Sequence, residues 1–342
     1  MQVSTIGIDL AKNVFQVHGV DAAGKATLTK KLRRSQMLPL FAKLPPCLIG
    51  MEACATAHHW ARELETLGHD VRLMPASYVK AYVKRGKNDA ADAAGICKAV
   101  TRPSMRFVPI KSVEQQAALM LHRARDLLIR QRTQLINALR AHLAELGMVA
   151  ATGREGLKKL LVVVAGGTQQ QLPGPMREAL QALIAQLDAL QQQIGRLECQ
   201  IHAQHRASDA SRRLETIPGI GVIGATAIVA TVTDLTAFKS GREFAAWIGL
   251  VPRQNSSGGK ERLGSISKQG DRYLRCLLVV GATAVLRHAR AHPNKHPWLM
   301  QLLARRPAKV VAVALANKMA RIAWAVLARG GTYRAPALAV PV

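Results

Sequence analysis

Four carboxylates in the first hundred residues have types and spacings that could do chemistry. Asp9 closes an aliphatic run, VSTIGIDL, and Glu52 closes a second, CLIGM. Asp89 and Asp92 stand three apart in KNDAADAA, a stretch with the composition of a helix start. At that spacing both side chains share one helix face. Four oxygen-bearing groups on one surface make a hard, anionic site suited to Mg²⁺ or Mn²⁺. Two such ions can bind the attacking and leaving oxygens of a phosphodiester. Singly, each residue has a plainer reading: a strand-terminal Asp is often a cap, and NDAAD alone is a solvated first turn. The inference rests on the four together, in this order, in a basic chain. Lys84, Arg85 and Lys87 beside the last pair would offset its charge and bind phosphate.

A second constellation is PRQNSSGGKER, residues 252–262, with two serines, a Gly-Gly step, Lys260 and Arg262. A serine hydroxyl can attack a phosphodiester when cations stabilise the developing charge. On residue physics alone, a surface loop rich in turn formers is the stronger reading. In PGIG, Gly219 and Gly221 lie between two helical patterns, as in a helix-hairpin-helix. Such a turn offers backbone N–H groups to a phosphate; the alternative is a plain helical linker. His288, His292 and His296 recur every fourth residue, but Pro293 interrupts the helix and no Cys or acid completes a metal site. They read as surface or phosphate-contacting residues. His58 and His59 give no usable ligand geometry.

The elements that must hold these residues follow from periodicity. Strands are expected over residues 3–10, 14–20, 26–32, 47–51 and 69–74, with helices from Ser35 and over 57–67. The order fits a ribonuclease-H-like sheet, a three-stranded meander extended by alternating helices and strands. One long helix over 112–146 carries a basic face of Arg123, Arg125, Arg130, Arg132 and Arg140. A looser stretch, 147–175, is broken by Gly and Pro. Then Leu180, Leu183, Leu187, Leu190, Ile194, Leu197 and Ile201 repeat with 3-4 spacing, a coiled-coil pattern. This seam would either mediate self-association or pair with the preceding long helix as a hairpin. More helices follow, interrupted by a Gly/Ser-rich loop over 255–270. The expected domains are a catalytic domain over 1–110, a helical coiled-coil region over 111–206, and a C-terminal domain over 207–330 with the glycine turn and serine loop.

Bulk composition narrows the partners. The chain has 342 residues, with 48 Lys+Arg against 21 Asp+Glu and a net charge of +27. Such an imbalance repels itself unless a polyanion neutralises it, and nucleic acid is the commonest one. Ribosome-associated and membrane-surface proteins rank below nucleic acid processing at 49% hydrophobic content, which supports a substantial core. Five cysteines without a C-x-x-C pair read as reduced thiols of a cytoplasmic protein. The N-terminus lacks a leader pattern. The apolar runs near 221–232 and 276–286 are too short for a membrane span, and Lys309, Lys318 and Arg321 interrupt the last apolar helix.

In combination the motifs resemble the DEDD transposases of the insertion-sequence one-ten family, and within it the one-triple-one branch. The resemblance covers most of the chain: IGIDLAK, GMEA and KNDAADA near the N-terminus, then IPGIG, FAAWIGLVP, SSGGK and QGDRYLR. Each is weak alone, and the ordered set is specific. It implies a RuvC-like N-terminal domain with Asp9, Glu52, Asp89 and Asp92 as metal ligands. It also implies a C-terminal nucleophilic serine that links transiently to DNA. The family's serine precedes a glycine shortly after the proline of the GLVP segment, which maps to Ser257; Ser256 precedes it, so the assignment stays open by one residue. A structured non-coding RNA of the mobile element is a further implied partner, pairing with donor and target DNA. A homo-oligomer, dimer or tetramer, in the bacterial cytoplasm near the nucleoid completes the expectation. Competing functions are a junction-resolving or simple nuclease using activated water, and a non-enzymatic protein that bridges nucleic acids. The four ordered carboxylates count against the last, and only the serine loop separates the recombinase from the nuclease.

Overall fold

The computed structural model describes residues 3–83, 88–166 and 172–335. The chain forms two compact units, Met1–Glu114 and Gln115–Val342. Lys84, Arg85 and Lys87 lie outside the described residues.

The first unit is built on strands β1 (Thr5–Leu10), β2 (Val14–Val20) and β3 (Ala26–Arg33), followed by helix α1 (Met37–Phe41). Strand β4 (Leu48–Glu52), helix α2 (Ala57–Thr66), strand β5 (Asp70–Met74) and short helix α3 (Ala76–Val79) come next. Helix α4 (Asp89–Val100) ends the series. The sheet order is β3-β2-β1-β4-β5. The first three strands pair antiparallel, and β4 and β5 add in parallel. This mixed sheet fits the ribonuclease-H-like expectation. Period-two alternation sends Ile6, Ile8, Phe15, Val17, Ile49 and Met51 to one face. There they pack with Met37 and Phe41 of α1 and Trp60, Ala61 and Leu64 of α2. Helix α4 covers the other face, against β1, β2 and β4. Exposed Lys30 and Lys31 occupy the edge strand β3, where charge discourages pairing with another chain.

The second unit is helical apart from one ribbon. Helices α5 (Val113–Glu145), α6 (Arg154–Gly166) and α7 (Gly174–Ala207) come first. Next are α8 (Asp209–Glu215), α9 (Val222–Thr231) and α10 (Gly241–Ile248). A ribbon of β6 (Pro252–Gln254) and β7 (Leu263–Ile266) leads to α11 (Arg272–Ala291), α12 (Pro297–Arg305) and α13 (Ala308–Arg329). Leu139 and Leu143 of α5 pack with Leu180 and Leu187 of α7 and with Leu160 and Val164 of α6. Arg125 reaches Glu198 at 2.6 Å, and Arg132 reaches Gln191 at 3.1 Å. Moving seven residues along α5 thus moves seven back along α7, the register of an antiparallel hairpin. The hairpin alternative thus accounts for part of the seam: Leu180 and Leu187 pack on Leu139 and Leu143 of α5 in the same chain, and Leu190, Ile194 and Ile201 are buried as well.

Helix α6 corrects the loose stretch expected over 147–175. Gly147 and Gly153 do adopt left-handed backbone, but between them and Pro173 the spacing of Leu157, Leu160, Leu161 and Val164 makes an apolar helix face. Likewise the 255–270 loop is in part the ribbon β6–β7. Helix α13 is long and apolar enough to cross a membrane. Here its residues Val311, Leu315, Met319, Ala323 and Val326 lie in the main core of the unit, packed with α8, α10 and α11.

Candidate metal centre and serine ribbon

Strands β1 and β4 pair Gly7 with Gly50 and Ile8 with Met51. The next residues are Asp9 and Glu52, side by side at the strand ends. By strand period, each carboxylate shares a face with the glycine two residues before it. Both glycines lie under α4. A Cβ on Gly7 would fall 2.2 Å from the Ala93 carbonyl oxygen, and one on Gly50 would fall 2.7 Å from Cβ of Val100. Helix α4 therefore rests directly on the strand backbones. Its buried side carries Ala93, Ile96, Cys97 and Val100, and one turn back along that side stand Asp89 and Asp92. Asn88 caps the helix, its side-chain oxygen accepting the Ala90 N–H at 3.0 Å.

The result is a convergence of acids. Carboxylate oxygens of Asp9, Asp89 and Asp92 all lie within 4.8 Å of one another. Burial raises the Asp9 pKa above the usual carboxylate range, and the charges of Asp92 and Asp89 add to it. Glu52, set next to Asp9 by the strand pairing, is raised by burial, then by the charges of Asp9 and Asp92. Among the described residues, no Lys or Arg forms an ion pair with any of the four. Like charges held together in an all-oxygen donor set fit a divalent cation, which would remove the repulsion.

The serine ribbon of the second unit is exposed along nearly its whole length. Its tip is a two-residue turn, with Gly258 at φ +57° and Gly259 at φ +75°. Positive φ at both central positions is the geometry of a hairpin turn matched to strand twist, and glycine adopts it without strain. The Lys260 N–H donates to the Ser257 carbonyl at 3.1 Å, closing the turn. The two serines differ. Ser256 Oγ accepts the Arg262 N–H at 3.1 Å. The Ser257 hydroxyl makes no hydrogen bond among the described residues, and Lys260 and Arg262 are exposed beside it.

The foot of the ribbon is locked by close backbone contact. A Cβ on Gly249 would lie 2.1 Å from the Gln269 carbonyl oxygen, and one on Gly270 would lie 1.8 Å from that of Trp247. Arg275 Nη1 donates to the Ile248 carbonyl at 2.7 Å and to Gln269 at 2.9 Å, tying the two sides together. Asn317 Nδ2 of α13 donates to the Leu250 carbonyl at 3.2 Å.

Comparison with known proteins identifies both units. A family model described as the IS116/IS110/IS902 transposase family matches residues 211–297. A DEDD transposase model of the IS110 type matches residues 6–148. A probable family 20 transposase of Pseudomonas aeruginosa is 52% identical over 98% of this chain and 99% of its own length. The transposases for insertion sequence elements IS1111A of Coxiella burnetii and IS1328 of Yersinia enterocolitica are each 40% identical over 97% of this chain, covering 92% and 98% of their own lengths. The chain belongs to the IS110 transposase family.

As a transposase it is a DNA-acting enzyme of a class that cuts and rejoins DNA, and the acidic cluster is compatible with the divalent metal that membership of a DEDD family suggests. The structure brings Asp9, Asp89 and Asp92 together with Glu52 beside them, all in the first unit, and places Ser256, Ser257, Lys260 and Arg262 on one hairpin of the second. Gly219 has a packing role that sequence reading did not anticipate. It has φ +89°, and a Cβ there would meet Met319 at 2.8 Å and Val285 at 2.9 Å. Its carbonyl oxygen would lie 1.9 Å from a Cβ on Gly281, so the two glycines let the turn press on α11. Gly221 is exposed at the head of α9. The rings of His288, His292 and His296 gather with centroids 4.5 and 5.7 Å apart, His288 being common to both pairs. Sequence reading missed the positioning residues Gly7, Gly50, Arg275 and Asn317. The signal was present in the motifs: IGID and GME repeat one glycine-to-acid spacing, and WIGL and QGDRYLR form the two sides of the ribbon's foot.

Proposed function

We propose that this transposase is a site-specific DNA recombinase of an insertion sequence. In this reading Ser257 cuts and rejoins DNA, and Asp9, Glu52, Asp89 and Asp92 form the metal centre. The observation that carries it is the clustering of Asp9, Asp89 and Asp92 within 4.8 Å, with Glu52 alongside. Mg²⁺ or Mn²⁺ held by these carboxylates would supply positive charge to the phosphate oxygens of a scissile group. Ser257 is preferred to Ser256 as nucleophile because its hydroxyl is uncommitted at an exposed tip, and the flanking glycines let a DNA backbone come close. Its Oγ forms a P–O bond as a deoxyribose oxygen leaves, and Lys260 and Arg262 receive the developing charge. The serine ester conserves the phosphodiester bond energy, so a deoxyribose hydroxyl of another strand can reverse the step without an outside energy source.

Within this scheme residues 1–110 are the catalytic domain, 111–206 a helical spacer, and 207–330 a domain that joins a helix-hairpin-helix to the serine ribbon. Lys84, Arg85, Lys87 and the turn at Gly219–Gly221 hold DNA backbones. An element-encoded RNA chooses the sites by base pairing while the protein holds phosphates, a division that suits a net charge of +27. Exchange between two duplexes needs more than one serine, so the working unit is a homo-oligomer, a dimer or tetramer. The test is strand transfer on element-end DNA with Mg²⁺. Asp9→Asn and Asp92→Asn remove ligand charge at nearly constant size and should each lower transfer by roughly a hundred-fold or more while leaving DNA binding in place. Full activity in either variant would remove the metal centre from the account.

A further inference from the structure

Helices α10, α12 and α13 border an open groove of about 800 Å³ that neither the carboxylate cluster nor the serine ribbon uses. Two of the four tryptophans in the chain, Trp298 and Trp324, line it. Trp298 is 42% exposed, a costly position for a large ring in a chain with few aromatics. The Trp324 indole N–H is buried and has no hydrogen-bond partner among the described residues. Arg242, Lys318 and Arg321 share the lining, and no carboxylate does. Lys318 Nζ lies 4.2 Å from the centroid of the Trp298 ring. Neither Arg242 nor Arg321 has a side-chain partner among the described residues.

Aromatic faces, unpaired cations and an unsatisfied donor together match one kind of ligand. A base can stack on an indole, phosphates can sit on guanidinium and ammonium groups, and a base or phosphate oxygen can accept the spare N–H. Duplex DNA hides its base faces, so the nucleotide must be unpaired. An acidic peptide would satisfy the cations but gives no reason for two tryptophans. Asn317, in the same lining, holds the Leu250 carbonyl at the foot of the serine ribbon. A strand lying in the groove therefore runs beside the ribbon.

We propose that this groove binds an unpaired nucleotide of the DNA strand undergoing exchange, with its base on Trp298 and its phosphates on Arg242, Lys318 and Arg321. The proposal rests on the family's DNA chemistry and not on which residue is the nucleophile. In the free protein Lys318 covers the ring; on binding, the base takes its place and the ammonium moves to a phosphate.

The experiment measures affinity of the full-length protein for a short labelled single-stranded DNA, for the matching duplex, and for single-stranded RNA of the same sequence. Trp298→Ala should weaken single-stranded DNA binding by roughly ten- to a hundred-fold and leave duplex and RNA binding within about two-fold. Trp298→Phe, which keeps a ring, should recover most of the loss. The surface variant Arg242→Glu, which tests the groove without touching a packed side chain, should also weaken single-stranded DNA selectively. Unchanged single-strand affinity in both Trp298→Ala and Arg242→Glu would overturn the proposal, as would parallel loss on single strand and duplex. A larger loss on RNA would make RNA the occupant, and a change in assembly mass would make it a second copy of the chain. A wild-type protein that binds neither form of DNA would count against the DNA-acting reading itself.

Discussion

His122 shows how a single buried residue couples the second unit to pH. It is 1% exposed, its Nδ1 lies 3.2 Å from the Tyr273 hydroxyl, and its Nε2 has no partner among the described residues. Burial, then the charge of Arg125, lowers its pKa from 6.5 to about 4. Between those values the folded protein holds fewer protons than the unfolded chain. Stability therefore rises with pH across the window and is lost as pH falls through it, by up to about 3 kcal/mol. His122→Gln can still hydrogen-bond Tyr273 but cannot take a proton. Unfolding measured from pH 4 to 7 should show a flatter pH dependence in this variant, and an unchanged slope would contradict the assignment. Legibility differs sharply at this scale. Asp9, Glu52, Asp89 and Asp92 could be read from the chain because each is local to a strand end or a helix start. His122 and Tyr273 are 151 residues apart, and nothing local marks either as a partner. The difference between Ser256 and Ser257 was equally hidden, since it lies in which hydroxyl the Arg262 N–H engages.

At the scale of elements, the sheet was legible because its strands keep strict apolar alternation between clear turns. The pressing of α4 onto β1 and β4 was less so, because a glycine in a strand has several explanations until the helix above it is seen. The heptad seam carried a true signal with two geometric solutions. Periodicity says that one face is buried, and not by which chain. The charged pair Arg125–Glu198 and the polar pair Arg132–Gln191 set α5 alongside α7 in the same chain. Replacing Leu187 and Ile194 with Glu would place two charges in that covered seam, at roughly 3 kcal/mol or more each. The double variant should lose helical signal and melt early as the hairpin opens, with no clean conversion from a larger to a smaller folded assembly. A folded, stable variant of half the wild-type mass would show instead that the seam joins two chains. Helix α6 was hidden because the glycines around it signal turns, although Leu157, Leu160, Leu161 and Val164 keep helical spacing, whereas the ribbon strands have too few residues to show a period.

For the whole molecule, charge is the property that the sequence states most plainly, and it sets the expected behaviour with nucleic acid. A protein with net charge +27 binds chiefly through phosphates. If it neutralises six to ten of them, affinity should fall by roughly three to five decades between ~50 and ~200 mM salt. A nearly flat dependence would mean that the positive charge serves another purpose. Charge does not reveal the chemistry, however, and a basic nuclease would show the same slope. What separates the serine mechanism from attack by metal-activated water is whether DNA becomes covalently attached to the protein between cutting and rejoining. The most direct measurement is therefore to stall the reaction with Mg²⁺ present, resolve the products under denaturing conditions and map the linked residue by mass spectrometry. The account predicts a protein–DNA adduct on Ser257, absent in Ser257→Ala although DNA binding persists, and retained in Ser256→Ala. Cleavage that proceeds with no adduct, or efficient recombination by the double alanine variant, would contradict it and remove the serine as nucleophile.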